Sequence, residues 1–135
     1  NSVFFLVRSS TDGSIIKSVR GYSCEGSAGR QTYQVWSSLP GGNKKFRRAW
    51  QDGKHCFLIF TMGRGDGLEV WGLAQVISPS DADLYGPVSF WSWQSPQDDQ
   101  HWKWLGENFR VQWHVQCRER LATSKALQRH ELVPG

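Results

Sequence analysis

A stretch in the last third of the chain alternates between apolar and polar residues. Residues 109–118 run F-R-V-Q-W-H-V-Q-C-R, so that every second side chain is apolar. Successive side chains of a β-strand point to opposite faces, and this period of two therefore predicts a strand with one buried face and one polar face. Such a strand is stable only beside other strands and beneath a layer that covers its apolar face. The chain is therefore expected to fold around a β-sheet.

Further strands and helices are predicted to surround this strand. Short apolar runs at 3–7 and 56–60 predict buried strands, and 68–77 follows an Asp-Gly turn signal as the returning strand of a hairpin. Helices are expected to be capped by Ser14 and by Asn43. The irregular alternation of strands and helices favours an α/β or α+β fold around a mixed sheet.

The segments between these elements are mostly polar. Residues 21–34 and 78–88 are rich in Gly, Ser, Pro and polar side chains and are predicted to be loops, while 89–104 shows no sustained period. A weak helical pattern covers 124–130. The predicted apolar face of the second helix consists of Phe46, Ala49 and Trp50.

Basic residues are concentrated towards the two ends of the chain. Residues 1–54 hold nine Lys or Arg against three Asp or Glu, residues 102–135 hold six against three, and the middle holds one against six. If the two ends meet in the fold, they form a positive surface suited to a polyanion such as a nucleic acid. With 135 residues, of which 39% are hydrophobic, we expect one domain, residues 1–135, that is part of a larger protein.

The spacing of reactive residues argues against several kinds of site. The three cysteines form no C-x-x-C pair, which disfavours a disulfide scaffold and favours an intracellular setting. As a separate expectation, the nucleus is slightly favoured over the cytoplasm. His114 and Cys117 are three apart on the predicted strand and therefore point to opposite faces, so they cannot share a metal ion. His55 and Cys56 are adjacent on a predicted strand and also point to opposite faces, so His55 cannot serve as the base for a Cys56 nucleophile. The sequence contains no phosphate-binding or nucleophile-elbow motif. We therefore expect no catalysis, no cofactor and no metal, and no apolar run is long enough to span a membrane.

Eight tryptophans against one methionine make an unusual composition. Trp50, Trp71 and Trp113 fall on apolar faces of predicted elements and are expected in the core. The others lie in or beside predicted loops: Trp36, Trp91, Trp93, Trp102 and Trp104. Large aromatic side chains in loops either cap the core or line a pocket, and beside a basic surface they suit stacking on nucleic-acid bases or a cage for a methylated cation.

The segment 35–40 (VWSSLP), followed by 43–46 (NKKF), closely resembles the core segment of YTH domains. The runs FFLVRS at 4–9, FLIF at 57–60 and FRVQW at 109–113 fall in the same order, so the resemblance covers nearly the whole chain. It implies an open β-barrel of about six strands wrapped by a few helices. It also implies a monomeric module that binds N6-methyladenosine in single-stranded RNA during mRNA processing, with no catalysis and no metal.

The resemblance also implies roles for individual residues. An aromatic cage around methyladenine is expected at Trp36, Trp93 and Leu105, the last of which lies beside Trp104, and Trp91 is the alternative to Trp93. Enclosing one methyl group in such a cage is worth ~1–3 kcal/mol.

Contacts outside the cage are implied as well. The backbone of Ser37 is expected to accept a hydrogen bond from the methylated N6–H group. Other base or nucleotide contacts are implied at Ser9, Ser10 and Ser14, and RNA-backbone contacts at Arg8, Asn43 and Lys44. Ser14 departs from the family, which has Asn or Asp there, and segment 21–34 is longer than usual.

Other functions stay open at this level. A PUA-like or EVE-type module would bind another modified base, and a methyl-lysine reader would use the same aromatic residues for a methylated cation. The lack of an acidic residue beside Trp36 in the sequence counts against the methyl-lysine reader. A small hydrolase would need a nucleophile, a base and an orienting residue, and no motif supplies them.

Overall fold

The computed structural model describes residues 1–9, 11–26, 29–92 and 100–120. Within these ranges the strands are β1 (Ser2–Arg8), β2 (Tyr22–Gly26), β3 (Gly29–Tyr33), β4 (Val35–Trp36), β5 (His55–Met62), β6 (Glu69–Val76) and β7 (Phe109–Arg120). The helices are α1 (Asp12–Arg20), α2 (Pro40–Gln51) and α3 (Ala82–Tyr85). Short 3-10 turns cover Gly65–Gly67, Val88–Trp91 and Gln100–Trp104.

Five of the strands form one mixed sheet in the order β1-β5-β6-β7-β4, and β2 pairs with β3 in a separate hairpin. β1 runs parallel to β5, and the other pairings in the sheet are antiparallel. The sheet curls into a half-barrel, which confirms the predicted mixed α+β class. The core contains buried side chains from β5, β6, β7, α1 and α2, among them Ile15, Phe46, Leu58, Phe60, Ala74, Phe109 and Val111.

The strands that were predicted from apolar patterns are confirmed. β7 covers Phe109–Arg120, and its first two apolar side chains, Phe109 and Val111, are buried as the alternation requires. Further along the strand Val115 is exposed, because an irregularity in the ladder between the pairs Ala74–Trp113 and Leu73–Val115 interrupts the alternation and places Val115 opposite Leu73, away from the face of the buried Ala74. β5 and β6 form the predicted hairpin around the turn at Gly65–Gly67.

Both predicted helix starts are wrong by about one turn. Helix α1 is capped by Thr11, whose side-chain oxygen accepts a hydrogen bond from the backbone N–H of Ser14. Helix α2 begins at Pro40 rather than at Asn43, because proline is well suited to a first helical position, where its missing N–H costs nothing. The side chain of Asn43 is used elsewhere, as described below.

The predicted loop at 21–34 is wrong, since most of this segment is the β2–β3 hairpin. Its strands carry polar side chains such as Ser23 and Thr32, whose exposed hydroxyl groups are hydrogen-bonded to each other at 3.0 Å. Apolar and polar residues therefore do not alternate along these strands, and the sequence pattern does not reveal them. Tyr22 and Tyr33, at the base of the hairpin, pack against the core. The hairpin is thus attached to the core at its base, through its first and last residues.

Three other predictions have mixed outcomes. Trp71 and Trp113 pack against the core as expected, but Trp50, in the last turn of α2, is 39% exposed. The predicted loop at 78–88 contains the short helix α3, which is capped by the side chain of Asp81. The weak helical pattern at 124–130 lies outside the described residues.

Within the described ranges, no cluster of three or more His, Cys, Asp or Glu side chains could hold a metal ion. No helix in that part of the chain is long and apolar enough to cross a membrane.

Candidate functional site

Trp36 lies at the centre of a group of aromatic rings. It is the second residue of β4 and pairs with Phe109 of β7. Its indole makes edge-to-face contacts with Phe60, with ring centroids 4.6 Å apart, and with Trp91, at 5.3 Å. Its Nε1–H donates to the Ser38 hydroxyl at 3.1 Å, and the residue is 5% exposed. The indole is therefore fixed on several sides.

The strand that carries Trp36 is held to helix α1 by buried polar groups. The hydroxyl of Ser18, which is fully buried, donates to the carbonyl of Val35 at 2.5 Å. The same hydroxyl accepts from Nε1–H of Trp113 at 2.9 Å. Gln34 accepts from the backbone N–H of Trp113 at 3.0 Å and donates to the carbonyl of Val19, also at 3.0 Å. The position of β4 is thus set by α1 and β7 together.

Trp91 provides the second indole of the group. It ends the 3-10 turn Val88–Trp91, is 3% exposed and contacts the ring of Phe90 edge-on at 5.1 Å. Its Nε1–H donates to Oδ1 of Asn108 at 2.6 Å. The predicted cage residue Trp93 lies outside the described residues, so Trp91 is the second tryptophan that the structure places against Trp36.

Leu105 and Trp104 are neighbours in sequence but have different surroundings. Leu105 is half-buried and packs against the core, just after the 3-10 turn Gln100–Trp104. Trp104 is 71% exposed. The predicted third wall, Leu105, thus packs against the core that also contains Trp36 and Trp91, whereas its neighbour Trp104 does not.

The segment after Trp36 is joined to the segment after Leu105 by several hydrogen bonds. The hydroxyl of Ser37 donates to the carbonyl of Gly106 at 2.6 Å, and the N–H of Gly106 donates to the carbonyl of Ser38 at 2.8 Å. Asn43 reinforces this junction: its Oδ1 accepts from the N–H of Ser38 at 2.7 Å, and its Nδ2 donates to the carbonyl of Glu107 at 2.8 Å. Asn43 is buried, so the predicted contact of its side chain with RNA would require these bonds to break.

The other predicted contact residues lie at the ends of β1 and the helices. Ser9 is buried, with its N–H bonded to the carbonyl of Thr61 and its hydroxyl to the carbonyl of Thr11. Thr61 follows Phe60, whose ring contacts Trp36, so the end of β1 is paired with the part of β5 that carries this ring. Ser14 bonds to Thr11 in the first turn of α1.

Two of the residues that were predicted to contact the RNA backbone have exposed side chains. Arg8, at the end of β1, and Lys44, on α2, are both exposed. Lys45 and Arg48 extend the basic surface of α2, whereas Arg47 is engaged with Ser80 and with the carboxylate of Glu107. The predicted contact at Ser10 lies outside the described residues.

Sequence reasoning missed two residues that organise this site. Asn108 is fully buried and bonded to Trp91, and Gly106 lies so close to the side chain of Asn43 that a Cβ atom would collide with Nδ2. Neither residue belongs to a recognisable motif. The only sequence signal is a polar residue immediately before a strongly alternating strand, which ordinarily marks the end of a loop.

Comparison with known proteins gives a consistent result. The family model described as a YT521-B-like (YTH) domain matches residues 2–130. Two YTH domain-containing proteins of Arabidopsis thaliana are similar in sequence: ECT2 is 29% identical over 121 residues and ECT3 is 30% identical over 117 residues. These alignments cover 85% and 82% of this chain but only 14% and 19% of the length of the two relatives.

Solved structures of low sequence identity share the fold. The YTH domain of Toxoplasma CPSF4, in complex with a 7-mer m6A-modified RNA, has a TM-score of 0.65 and 23% identity, over 89% of this chain and 65% of that one. The Pho92 YTH domain in complex with m6A also has a TM-score of 0.65 and 23% identity, over 98% of this chain and 72% of that one. Because the family model matches nearly the whole chain, this protein belongs to the YTH family.

Proposed function

We propose that this domain binds N6-methyladenosine in single-stranded RNA and leaves the RNA chemically unchanged. The observation that carries the proposal is the contact between the indoles of Trp36 and Trp91, at 5.3 Å, in a chain of the YTH family. Structures of similar folds, among them the CPSF4 and Pho92 YTH domains, are complexes with m6A RNA or m6A.

The proposed cage is formed by Trp36, Trp91 and Leu105. The contact with Trp36 supports Trp91, the alternative to Trp93, as the second wall. The two indoles meet edge to face at 71°, so they form a corner rather than two parallel walls. A base that stacks on one indole can therefore place its methyl group against the other, with Leu105 on the third side. This geometry suits a flat base that carries a small apolar substituent.

Entry of the base requires a local rearrangement. Trp36 and Trp91 are 5% and 3% exposed, which leaves almost no ring surface for stacking. The free energy of that rearrangement reduces the apparent affinity, because only the open fraction of the protein binds. We therefore expect an association rate well below the diffusion limit.

Selectivity for a single methyl group follows from one hydrogen bond. If the backbone of Ser37 accepts from N6–H, the methyl group is directed into the corner between the indoles. A dimethylated base has no N6–H and leaves the acceptor unpaired, which costs ~1–3 kcal/mol. The apolar enclosure alone gives a preference of roughly 10–200-fold over adenine.

Affinity for the rest of the RNA is proposed to come from phosphate contacts. Arg8 and Lys44 are exposed and basic, and Ser9, Ser10 and Ser14 remain proposed contacts of the nucleotide. Phosphate contacts release counterions, so affinity should fall as salt increases.

Isothermal titration calorimetry with one short RNA tests the proposal. Three versions carry adenosine, N6-methyladenosine or N6,N6-dimethyladenosine at the same position, and we expect the singly methylated RNA to bind at least tenfold more tightly than either of the others. An RNA carrying 5-methylcytidine and a trimethyl-lysine peptide represent the alternative functions. Equal affinities for the three adenosine versions would exclude the proposed function, and selective binding of either alternative ligand would replace it.

A further inference from the structure

Asn108 connects the proposed cage to the rest of the fold. It immediately precedes β7, and its side chain is 0% exposed. Its Oδ1 accepts the indole N–H of Trp91 at 2.6 Å. Its Nδ2 donates to the carbonyls of Gly86 and Pro87, each at 3.0 Å. The backbone carbonyl of Asn108 accepts from the N–H of Asp81 at 2.8 Å. Every polar atom of this amide is therefore used.

The orientation of the amide follows from these partners. Two backbone carbonyls, those of Gly86 and Pro87, need donors, and the indole N–H of Trp91 needs an acceptor. Only the orientation with Nδ2 towards the carbonyls and Oδ1 towards the indole satisfies all three, since a flipped amide would place two donors against each other. In a dry interior such a network has one low-energy arrangement. The amide therefore sets the direction of the Trp91 N–H.

The three proposed walls all belong to, or are hydrogen-bonded to, the same short segment, 105–109. Leu105 belongs to it, Trp36 pairs with Phe109 in the β4–β7 ladder, and Trp91 is bonded to Asn108. Without the bond to Asn108, the indole of Trp91 would keep its ring contacts with Trp36 and Phe90 but would lose the hydrogen bond that directs its N–H. Rotation of one wall by a few tens of degrees opens the corner that would hold a methyl group.

The turn that precedes Trp91 is held from its other side by the hairpin. Tyr22 of β2 contacts the ring of Phe90 edge-on at 5.5 Å, and Gly86 lies so close to Tyr22 that an added Cβ would be 3.0 Å from the ring. Trp91 is thus carried by a turn clamped between Tyr22 and Asn108.

We propose that Asn108 is a positioning residue that fixes the rotation of Trp91 and thereby sets the preference for a methylated base. The inference rests on the proposed function, because it assumes that Trp91 is a wall of the cage. Loss of the bond should affect the methylated RNA more than the unmethylated RNA, since only the methyl group depends on the angle of that wall. A residue that only stabilised the fold would change both affinities by the same factor.

The first test compares Asn108→Leu with wild type, by titration with methylated and unmethylated RNA at a temperature where circular dichroism shows both proteins folded. We expect the ratio of the two dissociation constants to fall roughly three- to tenfold, as for the loss of one hydrogen bond. Ser78→Ala is the matched control: Ser78 is buried, and its hydroxyl accepts from the N–H of Arg110 at 2.9 Å, two residues after Asn108. This control should lose stability and keep the ratio.

A second variant approaches the same bond from Trp91 and leaves the amide network intact. Replacing Trp91 by β-(3-benzothienyl)alanine keeps the size of the ring but replaces the indole N–H by sulfur, which donates no hydrogen bond. We expect the same loss of the methyl preference, and no further loss when it is combined with Asn108→Leu. If Asn108→Leu does not fold, this variant alone decides the question.

The position of Trp91 is measured independently of RNA. In wild type the indole N–H of Trp91, assigned by its disappearance in the benzothienyl variant, should exchange slowly with solvent, and Asn108→Leu should accelerate that exchange at least tenfold. Unchanged exchange, or an unchanged affinity ratio in both variants, would overturn the role of Asn108 while the proposed function stands. A wild-type protein with no methyl preference would instead overturn the proposed function, whatever the exchange data show.

Discussion

Gly106 should not tolerate even a methyl group, and the reason is local. A Cβ atom at this position would collide with Nδ2 of Asn43, whose amide joins the segment after Trp36 to the segment after Leu105. Asn43 would have to move, and its bonds to the N–H of Ser38 at 2.7 Å and to the carbonyl of Glu107 at 2.8 Å would break. Each leaves a partly buried group without its partner, at ~1–3 kcal/mol per group. We expect Gly106→Ala to cost about 2–4 kcal/mol of unfolding free energy.

Denaturant unfolding of four proteins tests this reasoning: wild type, Gly106→Ala, Asn43→Ala and the double variant. Asn43→Ala should itself cost about 2–4 kcal/mol, because it leaves the same two backbone groups unpaired. Once the amide is gone, the added methyl has nothing to collide with, so the double variant should be no less stable than Asn43→Ala. The expected coupling energy is therefore about 2 kcal/mol or more, well above the few tenths of independent sites.

A matched glycine controls for the effect of alanine itself. Gly41 lies in the first turn of α2, and a Cβ atom there meets nothing within 4 Å. Gly41→Ala should be neutral or should stabilise the protein by up to ~1 kcal/mol, as expected of alanine in a helix. Additive costs in the Gly106 and Asn43 pair would refute the proposed collision and would show that the methyl group is accommodated in another way.

Three further predictions concern separate parts of the molecule. Trp36→Ala should abolish the preference for methylated RNA. Because the indole is almost fully buried, the substitution should also cost ~3–5 kcal/mol of stability, so the titrations must use protein that is shown to be folded. An unchanged preference would exclude Trp36 from the cage. Arg8→Gln should weaken methylated and unmethylated RNA equally and reduce the slope of log affinity against log salt by about one; a loss confined to methylated RNA would place Arg8 at the base. Burial raises the pKa of Cys56 to about 12, so that above pH ~9 the thiol ionises in the unfolded protein but keeps its proton in the folded protein. The free energy of unfolding should therefore fall by about 1.4 kcal/mol per pH unit in this range. Cys56→Ala should lose this part of the slope, and identical slopes in the two proteins would contradict the prediction.

Strands with a continuous apolar pattern were predictable from the sequence, and the hairpin was not. β5, β6 and the start of β7 bury apolar side chains whose spacing is visible in the sequence. β2 and β3 expose most of the side chains that the structure describes, so nothing in their hydrophobicity distinguishes them from a loop. Their packing depends on Tyr22 and Tyr33, which meet partners far away in sequence.

The site was predictable only where a motif marks it. Trp36, Ser37 and Leu105 follow from the resemblance to YTH domains, and the structure places all three around one junction. The contact of Asn43 with RNA was implied by the resemblance to YTH domains; its burial depends on backbone groups at Ser38 and Glu107 that no local pattern reveals. Asn108 was missed for the same reason, since its partners lie 17 to 23 positions earlier in the chain.

The long sequence separations within the junction have a consequence for how the domain is made. The bond from Ser37 to Gly106 closes a loop of 69 residues, and the bond from Asn43 to Glu107 closes one of 64. Closing such loops is entropically costly and slow, and it rewards the chain only when both ends are present. A nascent chain on the ribosome that ends before Asn108 already contains Trp36 and both long helices, yet it has neither the strand that pairs with β4 nor the amide that bonds Trp91. The proposed cage is therefore among the last features to form during synthesis, and a truncated or stalled chain carries the aromatic residues without the arrangement that is proposed to select a methylated base.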